Sequence, residues 1–392
     1  MAKPKENFVT VVQNPRFEHA NGEKRSITTL VVCANSAWNL LNFRGPLIAG
    51  LIKAGYRIVA AAAPDGSESR LLELGAEFHP LPVDPAGRNP FADVRLLAAL
   101  SELLRRERPA ALLTFTVKPN IFGGLAARFS RTPVVATVSG LGSAFLGGGA
   151  VARLVERLYR LSLARAKAVF FQNDDDRDLF VERKLVRPDQ VRRVAGSGVD
   201  LDRFAVVSLP AAETPVFLFV GRLLRDKGLF ELIEAARLLR KRGVAAEVRL
   251  VGPQAVENPS AVTTAEVARW TADGLVTYLG PADDVRPAIA AADCLILPSY
   301  REGLPRSLLE GAAMGRPLIA TDVSGCRDVV DHGFNGYLSA ARSAPALAAA
   351  MADMCALSPT ERRVMGERSR AKVEQEFSVQ RVIGTYLAEI SR

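Results

Sequence analysis

Histidine and cysteine are scarce in this sequence of 392 residues: His19, His79 and His332 are the histidines, and Cys33, Cys294, Cys326 and Cys355 the cysteines. No two cysteines stand at a metal-binding spacing, so reduced thiols in a cytoplasm are the expected state. The first 25 residues are polar and carry no apolar signal core, and residues 1–26 are expected to form a flexible tail. An uncharged run long enough to cross a bilayer, residues 132–152, holds five glycines and reads as strand, loop and helix start. There is no short-period repeat and no low-complexity tract. No platform interleaves aromatic with basic residues, which leaves nucleic acid the weakest candidate partner.

Apolar residues are plentiful, at 48%, and with this length they predict two domains with two cores. The net charge of +9 is unevenly placed. Up to Val207 there are 29 basic against 20 acidic residues, and beyond it 22 against 22. A basic first half attracts something anionic, such as phospholipid headgroups or a phosphate-bearing substrate, unless it is only a solubilising surface.

Short β-rich runs alternate with helical patterns along the whole chain. In the first half strands are expected at 27–34, 55–62, 78–81, 111–115, 133–137, 168–171 and 191–194, with a loop at 42–44 ahead of a helix at 45–54. Further helices are expected at 67–74, 93–106, 121–129, 151–166 and 178–184. The rhythm restarts after a linker at 207–215, with strands at 216–220, 247–252, 276–279, 294–297 and 317–322. Such alternation implies parallel sheets wrapped by helices, with ligands at the carboxyl ends of the strands. The helix at 151–166 is basic and amphipathic, with Leu154, Val155, Leu158, Leu161 and Leu163 expected against the sheet; a membrane surface is the other reading. Asp174-Asp-Asp176 invites a metal but precedes a helix, so capping is the expectation and no metal site is assigned.

The chain is organised around Pro298-Ser-Tyr-Arg-Glu-Gly-Leu-Pro-Arg-Ser-Leu-Leu-Glu310. It leaves an apolar strand, turns tightly at Gly303 to Pro305, and enters a helix carrying Ser307 and Glu310. Strand-to-helix turns aim backbone N–H groups and the positive helix end outward, which suits phosphate. Glu302 and Glu310 bracket the turn, where carboxylates are tolerable as acceptors for sugar hydroxyls. A second strand end, Gly221-Arg222, is followed by Lys227. Two cations there would neutralise a diphosphate leaving group, Arg gripping two oxygens and Lys acting as a point charge.

The Glu302-to-Glu310 spacing, with Leu297-Pro-Ser-Tyr-Arg-Glu-Gly-Leu-Pro-Arg around it, resembles glycosyltransferase family 4, retaining enzymes of GT-B fold. The resemblance implies an α/β protein of two Rossmann-like, doubly wound parallel-sheet domains facing a cleft. An acceptor domain would occupy 27–206 and a nucleotide-sugar domain 216–375, with a crossover helix at 376–392 returning to the first domain. It implies Glu302, Arg222 and Lys227 as catalytic, with Gly221, Gly303, Leu304, Pro305, Ser307 and Glu310 completing the donor site. Many family members have a His in the stretch matching Ser139-Gly-Leu-Gly-Ser-Ala-Phe145; this sequence has none there. That stretch, Lys118-Pro-Asn120 and Asn42-Phe43-Arg44 are similar instead to a bacterial capsule, O-antigen and protein-glycan subgroup. It implies transfer of an N-acetylhexosamine from a UDP-sugar to a polyprenyl-diphosphate-linked saccharide, on the cytoplasmic face of the inner membrane. Asn42, Phe43, Arg44, Lys118, Asn120, Ser139 and Gly140 would meet the acceptor, with no cofactor or bound metal. A nucleotide-sugar epimerase of the same fold and a non-catalytic nucleotide-sugar binder are the rival readings.

Overall fold

The computed structural model describes residues 27–84, 89–140, 149–211, 214–254, 256 and 258–392. The expected tail at 1–26 and the part of the Gly-Leu-Gly stretch from Leu141 to Phe145 lie outside them. The first sheet is built from β1 (Thr29–Ser36), β2 (Arg57–Ala63), β3 (Glu77–Pro80), β4 (Ala111–Phe115), β5 (Val134–Val138), β6 (Ala168–Phe171) and β7 (Val191–Arg193). The second holds β8 (Val216–Val220), β9 (Glu247–Val251), β10 (Thr277–Tyr278), β11 (Cys294–Leu297), β12 (Leu318–Thr321) and β13 (Gly336–Ser339). Their orders are β3-β2-β1-β4-β5-β6-β7 and β10-β9-β8-β11-β12-β13. Every pairing is parallel. Helices cover both faces, so the central strands read as unbroken apolar runs: every residue of β4, β5, β6, β11 and β12 is buried.

In each sheet the strand order reverses once, between β1 and β4 in the first lobe and between β8 and β11 in the second. These reversals open the crevices in which doubly wound sheets bind ligands. The loops after β8 and β11 are the ones that carry Lys227 and Glu302.

The chain passes between lobes twice, and the two crossings run side by side. Val199 N–H donates to Phe377 O at 2.9 Å, and Val379 N–H donates back to Val199 O at 3.0 Å. Gly198 is required there: its φ is +67°, and a Cβ would stand 2.7 Å from the Val379 Cα. Val199 and Phe204 already pack in the second lobe's core. The last helix, Val379–Ser391, returns to the first lobe. Its Tyr386 is fully buried among first-lobe residues, with its hydroxyl 2.6 Å from Thr137 Oγ1 and its ring 4.8 Å from that of Phe170. Burying a large side chain of this kind contributes about 1.5–3 kcal/mol, which fixes the crossover helix to the first sheet.

Three expectations are corrected. Asn42, Phe43 and Arg44 lie inside the helix Ala37–Lys53, not in a loop before it. Ser36 caps that helix by accepting from Asn39 N–H at 3.2 Å, and Pro46 sits in its interior. The expected helix at 178–184 begins earlier, as Asp174–Glu182, and its cap is Asn173, whose side chain accepts from Asp176 N–H at 2.8 Å. The three aspartates form its first turn, where negative charge suits the helix dipole. Finally, the helix Gly149–Leu163 buries Ala152, Tyr159, Ser162 and Leu163, while Leu154 and Leu161 face outward. Tyr159 fills the sheet-facing position against Phe180 at 5.2 Å between ring centroids, which rotates the two leucines into the company of Arg153, Arg157 and Arg160.

Candidate active site

The turn after β11 and the loop after β8 are locked together by backbone. Gly228 ends the basic loop at φ +71°, and a Cβ there would stand 2.0 Å from Pro298 O. Tyr300 N–H donates to Asp226 O at 2.9 Å. At the root of the same loop, a Cβ on Gly252 would come within 2.0 Å of Gly221 O, so the ends of β8 and β9 touch. These approaches set Lys227 beside Glu302. The ammonium donates to Glu302 Oε1 at 2.5 Å, and Ser299 Oγ donates to the same oxygen at 2.6 Å. Ser299 is itself held by Thr321 Oγ1, which donates to its carbonyl from the end of β12. The Lys227 and Glu302 side chains are 23% and 12% exposed, so the pair is shielded yet reachable. Arg222 is exposed and makes no ion pair among the described residues.

Pro305 leads into the helix Arg306–Ala313, whose first-turn N–H groups, with that of Ser307 among them, have no helical acceptor. Glu310 lies one turn in and is buried. Arg306 Nε donates to Glu310 Oε1 at 2.7 Å. Burial pushes the Glu310 carboxyl above its ordinary range, and Arg306 and Arg203 oppose that rise.

The first lobe closes directly on this turn. Gly303 O accepts from Asn173 Nδ2 at 2.9 Å, and a Cβ on Gly303 would stand 2.6 Å from Ser139 O and 2.9 Å from Gln172 Oε1. Leu304 packs on Gly196, where a Cβ would come within 2.7 Å of Leu304 Cδ2. Arg301 pairs with Asp176, which is 1% exposed. Ser324 donates to Asp175, and Gly325 backs the turn so closely that a Cβ would be 2.3 Å from Gly303 O. Arg193 reaches Asp328 at 3.1 Å. Among the described residues no group of three His, Cys, Asp or Glu could hold a metal ion, and Asp175 and Asp176 serve the seam between lobes.

The residues assigned to an acceptor divide. Ser139 and Gly140 follow β5, and the Ser139 carbonyl faces the Glu302 turn at Gly303. Asn42 and Phe43 meet the second lobe: Arg306 donates to Asn42 O and lies 5.8 Å from the Phe43 ring centroid. The reason is Pro46, which has no N–H to give the carbonyl four residues before it. Arg44 is buried, 4.2 Å from the Phe115 ring centroid. Lys118 is neutralised by Asp93 at 2.7 Å, and Asn120 turns inward, donating to Thr137 O at 2.9 Å. Thr116, at the end of β4, holds φ +70°, an unusual conformation for a β-branched residue, and donates to Asn35 Oδ1 at 2.7 Å. Strain of this kind collects at functional sites, and it stands at the first lobe's strand reversal.

Sequence reasoning missed Asn173, Arg301, Arg306 and Gly325, and it read Asp176 as part of a helix cap rather than as the partner of Arg301. Arg306 alone was within its reach, as the residue four before Glu310 and just after Pro305.

Residues 44–196 match the glycosyl transferase 4-like domain, and residues 214–356 match the glycosyl transferases group 1. The chain is similar to an N,N'-diacetylbacillosaminyl-diphospho-undecaprenol alpha-1,3-N-acetylgalactosaminyltransferase of Campylobacter jejuni, at 27% identity over 78% of this chain and 84% of that one. It is also similar to an Escherichia coli UDP-Gal:alpha-D-GlcNAc-diphosphoundecaprenol alpha-1,3-galactosyltransferase, at 26% identity over 63% of this chain and 66% of that one. Among solved structures, Anabaena HepE in complex with UDP and glucose superposes with a TM-score of 0.75 at 17% identity, over 93% of this chain and 99% of that one. This last likeness speaks to the fold.

Proposed function

We propose, from the premise that this chain belongs to the group 1 glycosyltransferases with a 4-like first lobe, that it moves a sugar from a UDP-sugar to a saccharide carried on polyprenyl diphosphate. The donor lies in the second lobe, the acceptor in the first, and the reaction takes place at the seam. The observation that carries this reading is the meeting of Lys227 and Glu302 at 2.5 Å, at the second sheet's strand reversal, in the turn that leads into the helix bearing Glu310.

Lys227 and Arg222 balance the charge that grows on the diphosphate as its bond to the sugar C1 breaks. First-turn N–H groups of the helix Arg306–Ala313 add to this. Glu310 accepts from the ribose hydroxyls through the oxygen that Arg306 leaves free. Glu302, steadied by Lys227 and Ser299, accepts from the donor sugar. The configuration is retained. The C1–O bond to UDP breaks on the face where the acceptor oxygen bonds to C1, and the acceptor's proton passes to the departing phosphate oxygen. The transferred sugar is an N-acetylhexosamine, in keeping with the Campylobacter relative's name.

Among the described residues no helix is long and apolar enough to cross a membrane. Peripheral contact with an anionic bilayer is supported by the outward face of Gly149–Leu163, where Leu154 and Leu161 are 56% and 54% exposed among arginines. The test is a panel of UDP-sugars with and without an undecaprenyl-diphosphate-linked saccharide, read as UDP release. Release that depends on the lipid-linked acceptor is expected. An isomerised UDP-sugar formed without acceptor would favour an epimerase.

A further inference from the structure

Arg44 is a buried cation without a counter-charge. It is 4% exposed, its Nε and Nη1 have no hydrogen-bond acceptor among the described residues, and it forms no ion pair there. A buried, unpaired guanidinium is costly in an apo protein. The fold supplies only partial compensation, the Phe115 ring face at 4.2 Å. The Tyr386 hydroxyl, which acts on Arg44 electrostatically, is already engaged with Thr137 at 2.6 Å. A second cation stands within electrostatic reach: Arg306, from the other lobe, which lies on Asn42 O of the same helix.

The place of this group in the fold says what it faces. Side chains on a helix lean toward its N-terminus. The helix Ala37–Lys53 follows β1, so its N-terminal end stands at the carboxyl edge of the first sheet. Phe115 is the last residue of β4, at that same edge and at the strand reversal. Arg44 therefore reaches up between helix and sheet toward the interlobe seam, with the second lobe's Arg306, on Asn42 O, within electrostatic reach. Two guanidinium groups from opposite lobes thus influence one another across the seam, and the only carboxylate either one pairs with among the described residues is Glu310, held by Arg306.

We propose that Arg44, with Arg306, forms a phosphate subsite at the seam, separate from the Arg222 and Lys227 pair, that takes a phosphate group of a substrate. Two Arg44 nitrogens, Nε and Nη1, are without acceptors, and a guanidinium makes strong charge-assisted hydrogen bonds to phosphate oxygens. The phosphate belongs either to the diphosphate of the lipid-linked acceptor or to that of the nucleotide. The inference deepens the transferase reading and rests on it.

The experiment uses the full chain and three probes: farnesyl diphosphate, UDP and inorganic pyrophosphate. Binding is measured by calorimetry, and thermal stability is read without ligand, for wild type, Arg44→Met and Arg44→Lys. Replacing an unpaired buried ion with an apolar side chain of similar length is neutral or stabilising. Arg44→Met is therefore expected to keep or raise the melting temperature while losing at least about tenfold in affinity for one diphosphate probe. Arg44→Lys, which keeps the charge but not the planar guanidinium's several donors, is expected to fall between, and it decides the matter should Arg44→Met fail to fold. Loss confined to farnesyl diphosphate assigns the subsite to the acceptor, and loss confined to UDP assigns it to the donor. Unchanged affinity for every probe together with a lowered melting temperature would make Arg44 a core residue and overturn the subsite. A wild type that binds none of the probes would overturn the transferase reading as well.

Discussion

Gly303 offers a perturbation that separates lobe closure from lobe stability. Its φ is not in the left-handed region, so alanine is conformationally acceptable there. Within its own lobe the added Cβ meets none of its three nearest atoms; those are Ser139 O at 2.6 Å, Gln172 Oε1 at 2.9 Å and the Ser139 carbonyl carbon at 3.1 Å, all across the seam. Ordinary contact begins near 3.4 Å, so the lobes must part by most of an ångström or the Ser139 backbone must shift. Overpacking of this kind costs about 1–3 kcal/mol, which shifts a closed-to-open equilibrium by about 5- to 150-fold. Gly303→Ala should therefore keep its melting temperature and lower kcat/KM by a factor in that range. Small-angle scattering should show less compaction with a UDP-sugar than wild type shows. Wild-type turnover and wild-type compaction in Gly303→Ala would refute the reasoning, because the two lobes could not then meet at this turn during the reaction.

Three further outcomes are expected. Lys227→Met should lower kcat by about 10²–10³, the usual effect of losing one oriented charge-stabilising donor; with Glu302→Gln added, the losses should fall short of additive, as for groups in contact, which steady-state kinetics of the cycle will report. Pro46→Ala restores an N–H four residues after Asn42 and removes a helix-interior proline, worth about 3 kcal/mol in an exposed helix; the melting temperature should rise while the Arg306 contact weakens and KM for substrate rises. Burial holds the Glu310 carboxyl above its ordinary value, so on lowering pH it takes up a proton sooner than a free glutamate does, and UDP affinity should fall through that raised pKa. In Arg306→Gln the opposing cation is gone, so the fall should start at higher pH, and in Glu310→Gln it should vanish; isothermal titration across pH checks all three.

The two sheets were readable in the sequence because helices cover both faces, and covered parallel strands become continuous apolar runs such as Val216–Val220 and Cys294–Leu297. The Glu302 turn was readable because strand, turn and helix follow one another within a few residues. Asn42–Arg44 misled because three polar or aromatic residues before Pro46 read as a loop. What keeps them helical is the Ser36 cap and the Leu40, Leu47 and Leu51 face buried on the sheet, and the carbonyl freed by Pro46 is taken by a residue far along the chain. The seam was invisible for the same reason. Asn173 meets Gly303 across 130 positions and Asp176 meets Arg301 across 125, and no local pattern marks either partner. The outward leucines of Gly149–Leu163 were misassigned because amphipathicity gives a stripe but not the side on which Tyr159 anchors it.

The central claim is that two cations after β8 and the turn after β11 hold a pyrophosphate between them. A crystal structure of the full chain with UDP measures this most directly. Pyrophosphate oxygens within hydrogen-bond reach of Arg222 and Lys227, with the ribose hydroxyls on Glu310, are the expected result. UDP bound elsewhere, with Lys227 still on Glu302 and Glu310 untouched, would contradict the account.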